Sequence, residues 1–425
     1  MARPAAGAGG QAQVAGLLLS ALAFGCANQG APPGGPPRTT PAAILRTVPE
    51  SGAVVPGFRG KAVVQFDEVI DEAPGSSGGG TGAITGLAQK IVLSPVGGDV
   101  DVSWHRSAIH VQPDEGWKPD RVYHLEVLPG IADLRRNVTK TGATIVFSTG
   151  GPIPTAALSG TALLWVEQRL LTQAVIRAAP LPDTAAYVTL ADSAGNFRLL
   201  GIPPGRYRVW AIQDQNNNRR QDRREPFDTL SITVDSSASA VLWAFVHDTV
   251  GPRIRTIEPV DSFTLRINFS SPLDPARPPD TAAVRVFALP DTTPVAVRAL
   301  YRPAQFDSLQ VRARAVADSL KRLQDTTARK DTTARRDTTG RRGAPARARR
   351  DTAAARVDTA RVRKLLAQRP VPYDRLVVQT AQLLTPGAKY LVRVRGAINL
   401  SGVATDGLGV VEIPVPRDTT KAKRP

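Results

Sequence analysis

A twelve-residue polar stretch of this sequence has the spacing of a calcium-binding loop. It runs from Asp214 to Glu225 and reads D-Q-N-N-N-R-R-Q-D-R-R-E, with oxygen-bearing side chains at positions 1, 3, 5, 9 and 12. Calcium takes about six to eight oxygen ligands, and a final glutamate can supply two of them. The predicted ligands are the side chains of Asp214, Asn216, Asn218, Asp222 and Glu225 and the backbone carbonyl of Arg220.

Two features of the same stretch oppose calcium binding. Arg219 stands at position 6, where such loops normally have the glycine of a sharp turn. Four arginines also crowd the loop (219, 220, 223 and 224), and positive charge beside a dication weakens its binding. The alternative is a polar hairpin whose carboxylates pair with these arginines. Calcium is the only cofactor that the sequence suggests.

The single cysteine of the 425 residues, Cys26, follows a short apolar run from Val14 to Phe24. Such a run is too short to cross a bilayer, which needs about 20 residues, but it matches the apolar part of a secretory signal. With Cys26 it resembles the lipobox of bacterial lipoproteins, in which the thiol is acylated once the signal peptide, here residues 1–25, is removed. The resemblance implies an exported protein held by lipid in the cell envelope, at the outer membrane or cell surface. A plain secretory signal is the alternative.

The net charge of +17 is concentrated in one segment. Residues 307–369 contain 18 Lys or Arg and 7 Asp, a net charge of +11, so the remaining residues carry only +6. No basic stripe is interleaved with stacking aromatic residues, and we therefore expect no nucleic-acid partner. Tandem D-T-T-x-R-K/R repeats begin at Asp325 and contain few apolar residues. We expect this basic insert to be disordered or partly helical, with firmer helix at 308–323 and 359–368.

Other reactive residues do not form a catalytic pattern. The four histidines lack metal-ligand spacing, and no nucleophile stands with a plausible base. His124 alternates with apolar neighbours in a predicted strand, so we expect it on a solvent face or with its polar atoms satisfied. Five tryptophans could stack on sugars, but their strand positions favour the core. The sequence therefore predicts no catalytic residues and no enzyme.

The elements that must position these residues are short alternating strands between turns. With 36 Gly and 36 Pro, the chain favours β-sandwiches over helical bundles. We predict an all-β protein of three tandem sandwich modules after a flexible tether at 26–40. The modules span 41–150, 151–250, and 251–306 with 370–415; the basic insert at 307–369 splits the third, and 416–425 form a tail. Four residues of the first module recur 267 positions later: Pro119, Tyr123, Val127 and Ile131 as Pro386, Tyr390, Val394 and Ile398.

The first module resembles the bacterial Ig-like domain known from S-layer proteins of the SbsA type. The residues that carry this resemblance are Phe66-Asp67-Glu68, Trp117-Lys118-Pro119, Gly130-Ile131-Ala132-Asp133 and Phe147-Ser148-Thr149. The third module matches less fully, because no aspartate follows Ile398 and the insert interrupts it. The middle module is similar to carboxypeptidase regulatory-like and prealbumin-like domains of surface adhesins, in which loops like 214–225 also occur.

These resemblances imply a non-enzymatic envelope protein with structural or adhesive modules. Its partners would be the membrane, through the lipid anchor, and envelope glycans or other surface proteins. The alternative is an accessory lipoprotein that recognises glycans or anionic envelope polymers through the basic insert. Modules of this kind identify a fold rather than a reaction.

Overall fold

The prediction of an all-β chain of several sandwiches is confirmed. The computed structural model describes residues 39–71, 84, 86–328 and 359–415. These residues form mostly antiparallel sheets that pair into three sandwiches. We refer to residues 39–150 as module 1, 151–250 as module 2 and 251–415 as module 3. Cys26 with the start of the tether, most of the tandem repeats (residues 329–358) and the tail at 416–425 lie outside the described residues.

Module 1 packs a four-stranded sheet on a three-stranded one. The strand orders are β1-β2-β5-β4 and β3-β6-β7. Alternate residues of β2 (Ala62, Val64 and Phe66) point into the core, where Tyr123 and Phe147 stack with ring centroids 5.7 Å apart. The strands are Ile44–Val48 (β1), Ala62–Phe66 (β2), Ile91–Ser94 (β3), Val100–His105 (β4), Ala108–Pro113 (β5), Val122–Val127 (β6) and Ala143–Ser148 (β7).

Module 2 is a second sandwich with a different topology. Its sheets have the orders β11-β10-β13-β14 and β12-β8-β15, with β9 beside β8 and with β8 and β15 running parallel. The core includes Leu158, Ile176 and Tyr207, whose hydroxyl donates to the Pro203 carbonyl at 2.5 Å. The strands are Ala156–Leu164 (β8), Arg169–Leu170 (β9), Val175–Pro180 (β10), Tyr187–Leu190 (β11), Asn196–Ile202 (β12), Gly205–Ile212 (β13), Phe227–Val234 (β14) and Ser237–Ala244 (β15).

Module 3 repeats the strand order of module 1 and adds one edge strand, β19. Its sheets run β16-β17-β21-β20 and β19-β18-β22-β23. The strands are Ile254–Asp261 (β16), Thr264–Leu273 (β17), Val284–Ala288 (β18), Thr293–Val295 (β19), Val297–Tyr301 (β20), Tyr373–Thr380 (β21), Lys389–Ile398 (β22) and Ala404–Glu412 (β23).

The sequence repeat corresponds to one repeated contact. The Tyr123 hydroxyl accepts a hydrogen bond from the Lys118 backbone N–H at 2.8 Å. At the same offset, the Tyr390 hydroxyl accepts from the Thr385 N–H at 2.9 Å. Each tyrosine therefore fixes the chain entering its central strand, and the two outer modules are structural duplicates.

The aspartate that is missing after Ile398 has an amide equivalent in module 3. In module 1, Asp133 Oδ1 accepts the backbone N–H groups of Arg135 and Asn137. In module 3, Asn399 Oδ1 accepts those of Ser401 and Val403. The carbonyl oxygen of an amide closes this turn as a carboxylate does, because either one accepts two N–H bonds.

The basic insert lies in module 3 at the position of a tight hairpin in module 1. Strands β4 and β5 of module 1 are joined by two residues, Arg106 and Ser107, whereas residues 302–372 join the equivalent β20 and β21. This connection contains helices Pro303–Ala328 (α1) and Thr359–Leu366 (α2), near the two predicted helical segments. Helix α1 begins earlier than predicted because Pro303 suits a first helical position and Phe306 is buried beside Tyr301. No helix in the described parts of the chain is long and apolar enough to cross a membrane.

Candidate functional site

The predicted calcium loop connects β13 to β14 and closes on itself through hydrogen bonds. The Asp214 carboxylate accepts the backbone N–H groups of Asn218 at 3.2 Å and Arg219 at 2.8 Å. The buried Glu225 carboxylate accepts those of Gln215 at 2.8 Å and Asp222 at 3.2 Å. Asp214 thus closes the first half of the loop, and Glu225 joins the end of the loop to Gln215 at its start.

The remaining predicted ligands lie in the same network. Asp222 Oδ2 accepts from the side-chain amides of Asn216 at 2.6 Å and Asn218 at 2.9 Å. The Arg220 N–H donates to Asn218 Oδ1 at 2.7 Å, which brings the Arg220 backbone beside this cluster. Carboxylate and amide oxygens are hard donors of the type that calcium prefers, so the donor set fits the ion.

Metal occupancy of this loop remains a prediction. Across the described residues, no group of three or more His, Cys, Asp or Glu side chains is arranged to hold a metal. In the loop, two of the five predicted side-chain ligands are amides, Asn216 and Asn218, and their nitrogens donate to Asp222. Their oxygens would have to turn toward a bound cation, since only the oxygen of an amide can ligate calcium.

Arg219, the residue at the glycine position, leaves the loop and binds module 1. Its backbone has φ of 55°, in the left-handed region that favours glycine. Its guanidinium donates to the backbone carbonyls of Ile91 at 2.5 Å and Gln89 at 2.6 Å. A residue that is unfavourable for the turn is therefore used to join two modules.

Two neighbouring loop residues strengthen this connection. The Asn217 carbonyl accepts from the Ile84 N–H at 3.0 Å, and Arg220 forms a salt bridge with Asp99 at 2.6 Å. We call Asn217, Arg219 and Arg220 the loop clamp. Arg219 and Arg220 are thus engaged with module 1, which differs from a hairpin whose arginines all pair with its own carboxylates.

The rest of this junction buries polar side chains on the outer face of β6. All six residues of β6 are buried, because module 1 packs on one face and module 2 covers the other. Glu126 accepts a hydrogen bond from the Thr189 hydroxyl at 3.1 Å, and the His124 ring lies 5.0 Å from that of Tyr187. Ser94 Oγ accepts from the Val188 N–H at 3.0 Å.

Burial shifts the pKa values of the two titratable groups in opposite senses. Loss of solvent raises the pKa of Glu126 to about 7, although the Thr189 hydroxyl and the Arg219 charge act to lower it. Loss of solvent lowers the pKa of His124 to about 4, against the effect of the Gly201 carbonyl, which lies 3.5 Å from Nε2. Both groups therefore favour their neutral forms when the modules are docked.

The junction between modules 2 and 3 is held through the connecting segment. Asn399 Nδ2 donates to the Val250 carbonyl at 3.0 Å, and the Asp248 N–H donates to Ser401 Oγ at 3.0 Å. The Asn399 turn, which is the equivalent of the Asp133 turn in module 1, thus also binds the chain that enters module 3.

The end of the basic insert crosses from module 3 to module 2. The Arg369 guanidinium lies 5.4 Å from the ring centroid of Trp165 and 5.5 Å from that of Trp243. The Trp165 indole N–H donates to the Pro370 carbonyl at 3.1 Å. Trp243 is buried in module 2, whereas a face of Trp165 is covered by the insert. Cation–π contacts of this kind stabilise a docked arginine by about 0.5–2 kcal/mol.

The strands and their junctions define a class: an all-β chain of tandem sandwich modules whose first and third members are duplicates. Residues 38–149 match the bacterial Ig-like domain family. The match coincides with module 1 and covers fewer than half of the 425 residues of the chain. No curated protein matches the chain.

Several solved structures are similar to parts of the chain. The major pilin subunit BcpA of Bacillus cereus is 9% identical over 46% of this chain and 67% of its own, with a TM-score of 0.17. An Escherichia coli alpha-2-macroglobulin fragment spanning domains MG0-NIE-MG1 is 12% identical over 59% of this chain and 84% of its own, with a TM-score of 0.18. The S-layer protein rSbsC is 8% identical over 86% of this chain and 54% of its own, with a TM-score of 0.17.

Sequence reasoning missed the polar residues of the first junction. His124 and Glu126 alternate with apolar residues in V-Y-H-L-E-V, a pattern typical of a strand with one solvated face. His124 is buried rather than on a solvent face, with its Nε2 near the Gly201 carbonyl. Arginine at a glycine position was the one indication that the loop has a second role.

Proposed function

We propose that this protein is a non-enzymatic, lipid-anchored component of the bacterial cell envelope with a structural or adhesive role. The observation that carries the proposal is the pair of specific junctions, which join three sandwich modules through the loop clamp and through Asn399. Modules docked in this way hold a fixed spacing between their ends. That property suits display or scaffolding at a surface, where loosely linked modules would collapse or reorient.

The proposed anchor is the acylated thiol of Cys26. It would be followed by a tether of residues 26–40, rich in Pro and Gly, whose fully extended reach is about 50 Å. Stable anchoring needs two or more lipid chains, which the lipid-modified cysteine of bacterial lipoproteins would supply. Module 1 would then lie nearest the membrane, with modules 2 and 3 beyond it.

The anchor is tested by replacing Cys26 with alanine or serine in cells of a bacterial host. We expect the variants to be released from the membrane fraction, because the thiol is the sole acylation point. The measurement is the protein in membrane pellets after a high-salt wash, with mass spectrometry of the mature N-terminus. Continued co-sedimentation of both variants would contradict lipid anchoring, and an unmodified N-terminus in the wild type would contradict acylation.

We propose in addition that calcium stabilises module 2 through residues Asp214 to Glu225. A dissociation constant of about 10⁻⁴–10⁻³ M, as in extracellular modules, would give about 1.4–2.7 kcal/mol of stabilisation at 10 mM calcium. Glu225→Gln keeps the side-chain size but removes a ligand charge, so it is expected to abolish the calcium-induced rise in melting temperature. Glu167→Gln, on an exposed turn of the same module, is the matched control.

Two results would contradict this calcium site. One is a wild-type melting temperature that does not move between calcium-free buffer and 10 mM calcium. The other is an equal calcium response in Glu225→Gln and Glu167→Gln, which would place any bound ion elsewhere. Magnesium at the same concentration separates specific ligation from a general effect of divalent charge.

A second candidate function is recognition of glycans or anionic envelope polymers. It is favoured by the net charge of +11 in residues 307–369 and by the way this insert is held. Its two ends lie in the described structure, one at the start of α1 and the other at Arg369 on module 2. The two described ends of the insert are thus held on modules 3 and 2, and a polyanion could bind its basic side chains electrostatically.

A further inference from the structure

A cleft of about 850 Å³ lies at the edge of the junction between modules 1 and 2. One wall comes from module 1 and includes Lys90 and Lys140; the other comes from module 2 and includes Gln173, Asp192 and Gln213. Small-molecule sites occur preferentially at such boundaries, and this volume is within their usual range of about 300–1,000 Å³.

The cleft is preformed because the loop clamp forms part of it. Asp214, Asn217 and Arg219 line the module 2 side, and the Arg219 guanidinium reaches across to Gln89, which lines the other side. The two walls are therefore joined by a direct hydrogen bond between residues that line the cleft. A ligand entering it would not have to bring the modules together, so little ordering would oppose binding.

The charged groups of the cleft differ in whether they are already satisfied. The Asp192 carboxylate accepts the N–H groups of Ala194 and Asn196, both at 2.8 Å, and the Asp214 carboxylate is bonded within its loop. The Arg219 guanidinium is bonded to two carbonyls. By contrast, neither Lys90 nor Lys140 forms a salt bridge or a side-chain hydrogen bond with any described residue.

The lysine and glutamine side chains that no described residue occupies thus have a definite chemistry. Two ammonium groups on one wall call for an anion, and the side-chain amides of Gln173 and Gln213 on the other can bond to hydroxyl groups as both donors and acceptors. Leu128 and Pro129 of module 1 add apolar surface of the kind that contacts the C–H faces of a sugar ring. Carboxylate, hydroxyl and C–H faces occur together in an acidic saccharide.

We propose that this cleft binds a short acidic oligosaccharide, with sugar carboxylates on Lys90 and Lys140 and hydroxyls on Gln173 and Gln213. The inference rests on the second candidate function above, but it places the ligand between modules 1 and 2 rather than on the basic insert. It also limits the bound part of the ligand to a few sugar residues, because the volume of the cleft is only about 850 Å³.

The test is calorimetric titration of the mature chain with trigalacturonic acid, with maltotriose as the neutral trisaccharide. We expect the double substitution Lys90→Gln/Lys140→Gln to weaken binding of the acidic trisaccharide by about tenfold or more, since two charge-assisted contacts are lost. The control, Lys61→Gln/Lys389→Gln, makes the same charge change at lysines paired with Asp101 and Glu412, and it should leave binding unchanged. Maltotriose should bind the wild type more weakly by about tenfold or more, because it lacks the carboxylates.

A third variant separates this inference from the function on which it rests. Excision of residues 329–358 removes most of the tandem repeats and keeps α2 and Arg369; it should leave trisaccharide binding intact. Binding that is lost on excision but retained in Lys90→Gln/Lys140→Gln would overturn the cleft and favour the insert as the polyanion site. No binding of trigalacturonic acid at millimolar concentration, or equal binding of maltotriose, would also overturn the cleft. If a long polygalacturonate fails to bind as well, the second candidate function fails with it.

Discussion

Replacement of Arg219 with alanine is expected to loosen the junction between modules 1 and 2 by about 3 kcal/mol. The substitution leaves the carbonyls of Gln89 and Ile91 without their guanidinium donor, and each hydrogen bond to a charged group contributes about 1.5–3 kcal/mol. It also removes the positive charge that lowers the pKa of Glu126. Amide hydrogen exchange reports the change at Val188, whose N–H bonds to Ser94 across the junction, and should accelerate about a hundredfold.

Arg219→Gly separates the clamp from the strain of the loop. Glycine relieves the left-handed backbone, which stabilises the folded loop by about 1 kcal/mol relative to alanine, but it does not restore the clamp. If the loop binds calcium, this variant should also bind it more tightly, because the turn glycine is restored and a cation is removed. Arg223→Ala removes the same charge at an exposed loop position and should not change exchange at Val188. Equal exchange in Arg219→Ala and Arg223→Ala would contradict the clamp.

The second large effect is a pair of opposite pH dependences at the same junction. The pKa of Glu126 in the docked state is about 7 against its ordinary 4.5, so its protonated form is favoured. The stability linked to Glu126 is therefore complete below pH 4.5, and about 3 kcal/mol is lost as the pH rises through 7. The pKa of His124 is about 4 against 6.5. The stability linked to His124 is complete above pH 6.5, and about 3 kcal/mol is lost as the pH falls through 4.

In the wild type the two dependences largely offset each other between about pH 4.5 and 6.5, and above pH 6.5 only the Glu126 dependence remains. In His124→Gln only the Glu126 dependence should remain, so that stability falls as the pH rises through this range. Glu126→Gln should leave the His124 dependence, so that stability falls as the pH decreases from 6.5 to about 4. Thermal unfolding across this range of pH, with exchange at Val188 corrected for intrinsic rate, measures both. Parallel pH profiles in the two single variants would contradict the assignment.

The sandwich pattern of the outer modules was accessible from the sequence because it depends on local spacing. Alternation in A-V-V-Q-F predicts β2, and Tyr123 and Tyr390 mark the same position of duplicated folds through their constant offset. The spacing of the predicted calcium ligands likewise led to one loop, in which Asp214, Asn218 and Asp222 are joined by hydrogen bonds. The sequence did not indicate that Asn399 is the equivalent of Asp133. It is an asparagine rather than an aspartate, and it lies one residue before the position given by the constant offset, although the turn it closes is the same.

What the sequence by itself determined is the all-β class, the duplication of the outer modules and the position of the polar loop. These follow from strand alternation, turn residues and side-chain chemistry within short stretches of chain. Only the tertiary structure decided that Arg219 joins two modules, that Glu126 and His124 are buried, and that Lys90 lines a cleft with Gln213. The physical reason is that a strand face has the same sequence pattern whether water or a neighbouring module covers it. Its burial, and hence its pKa values and partners, depends on residues far away in the chain.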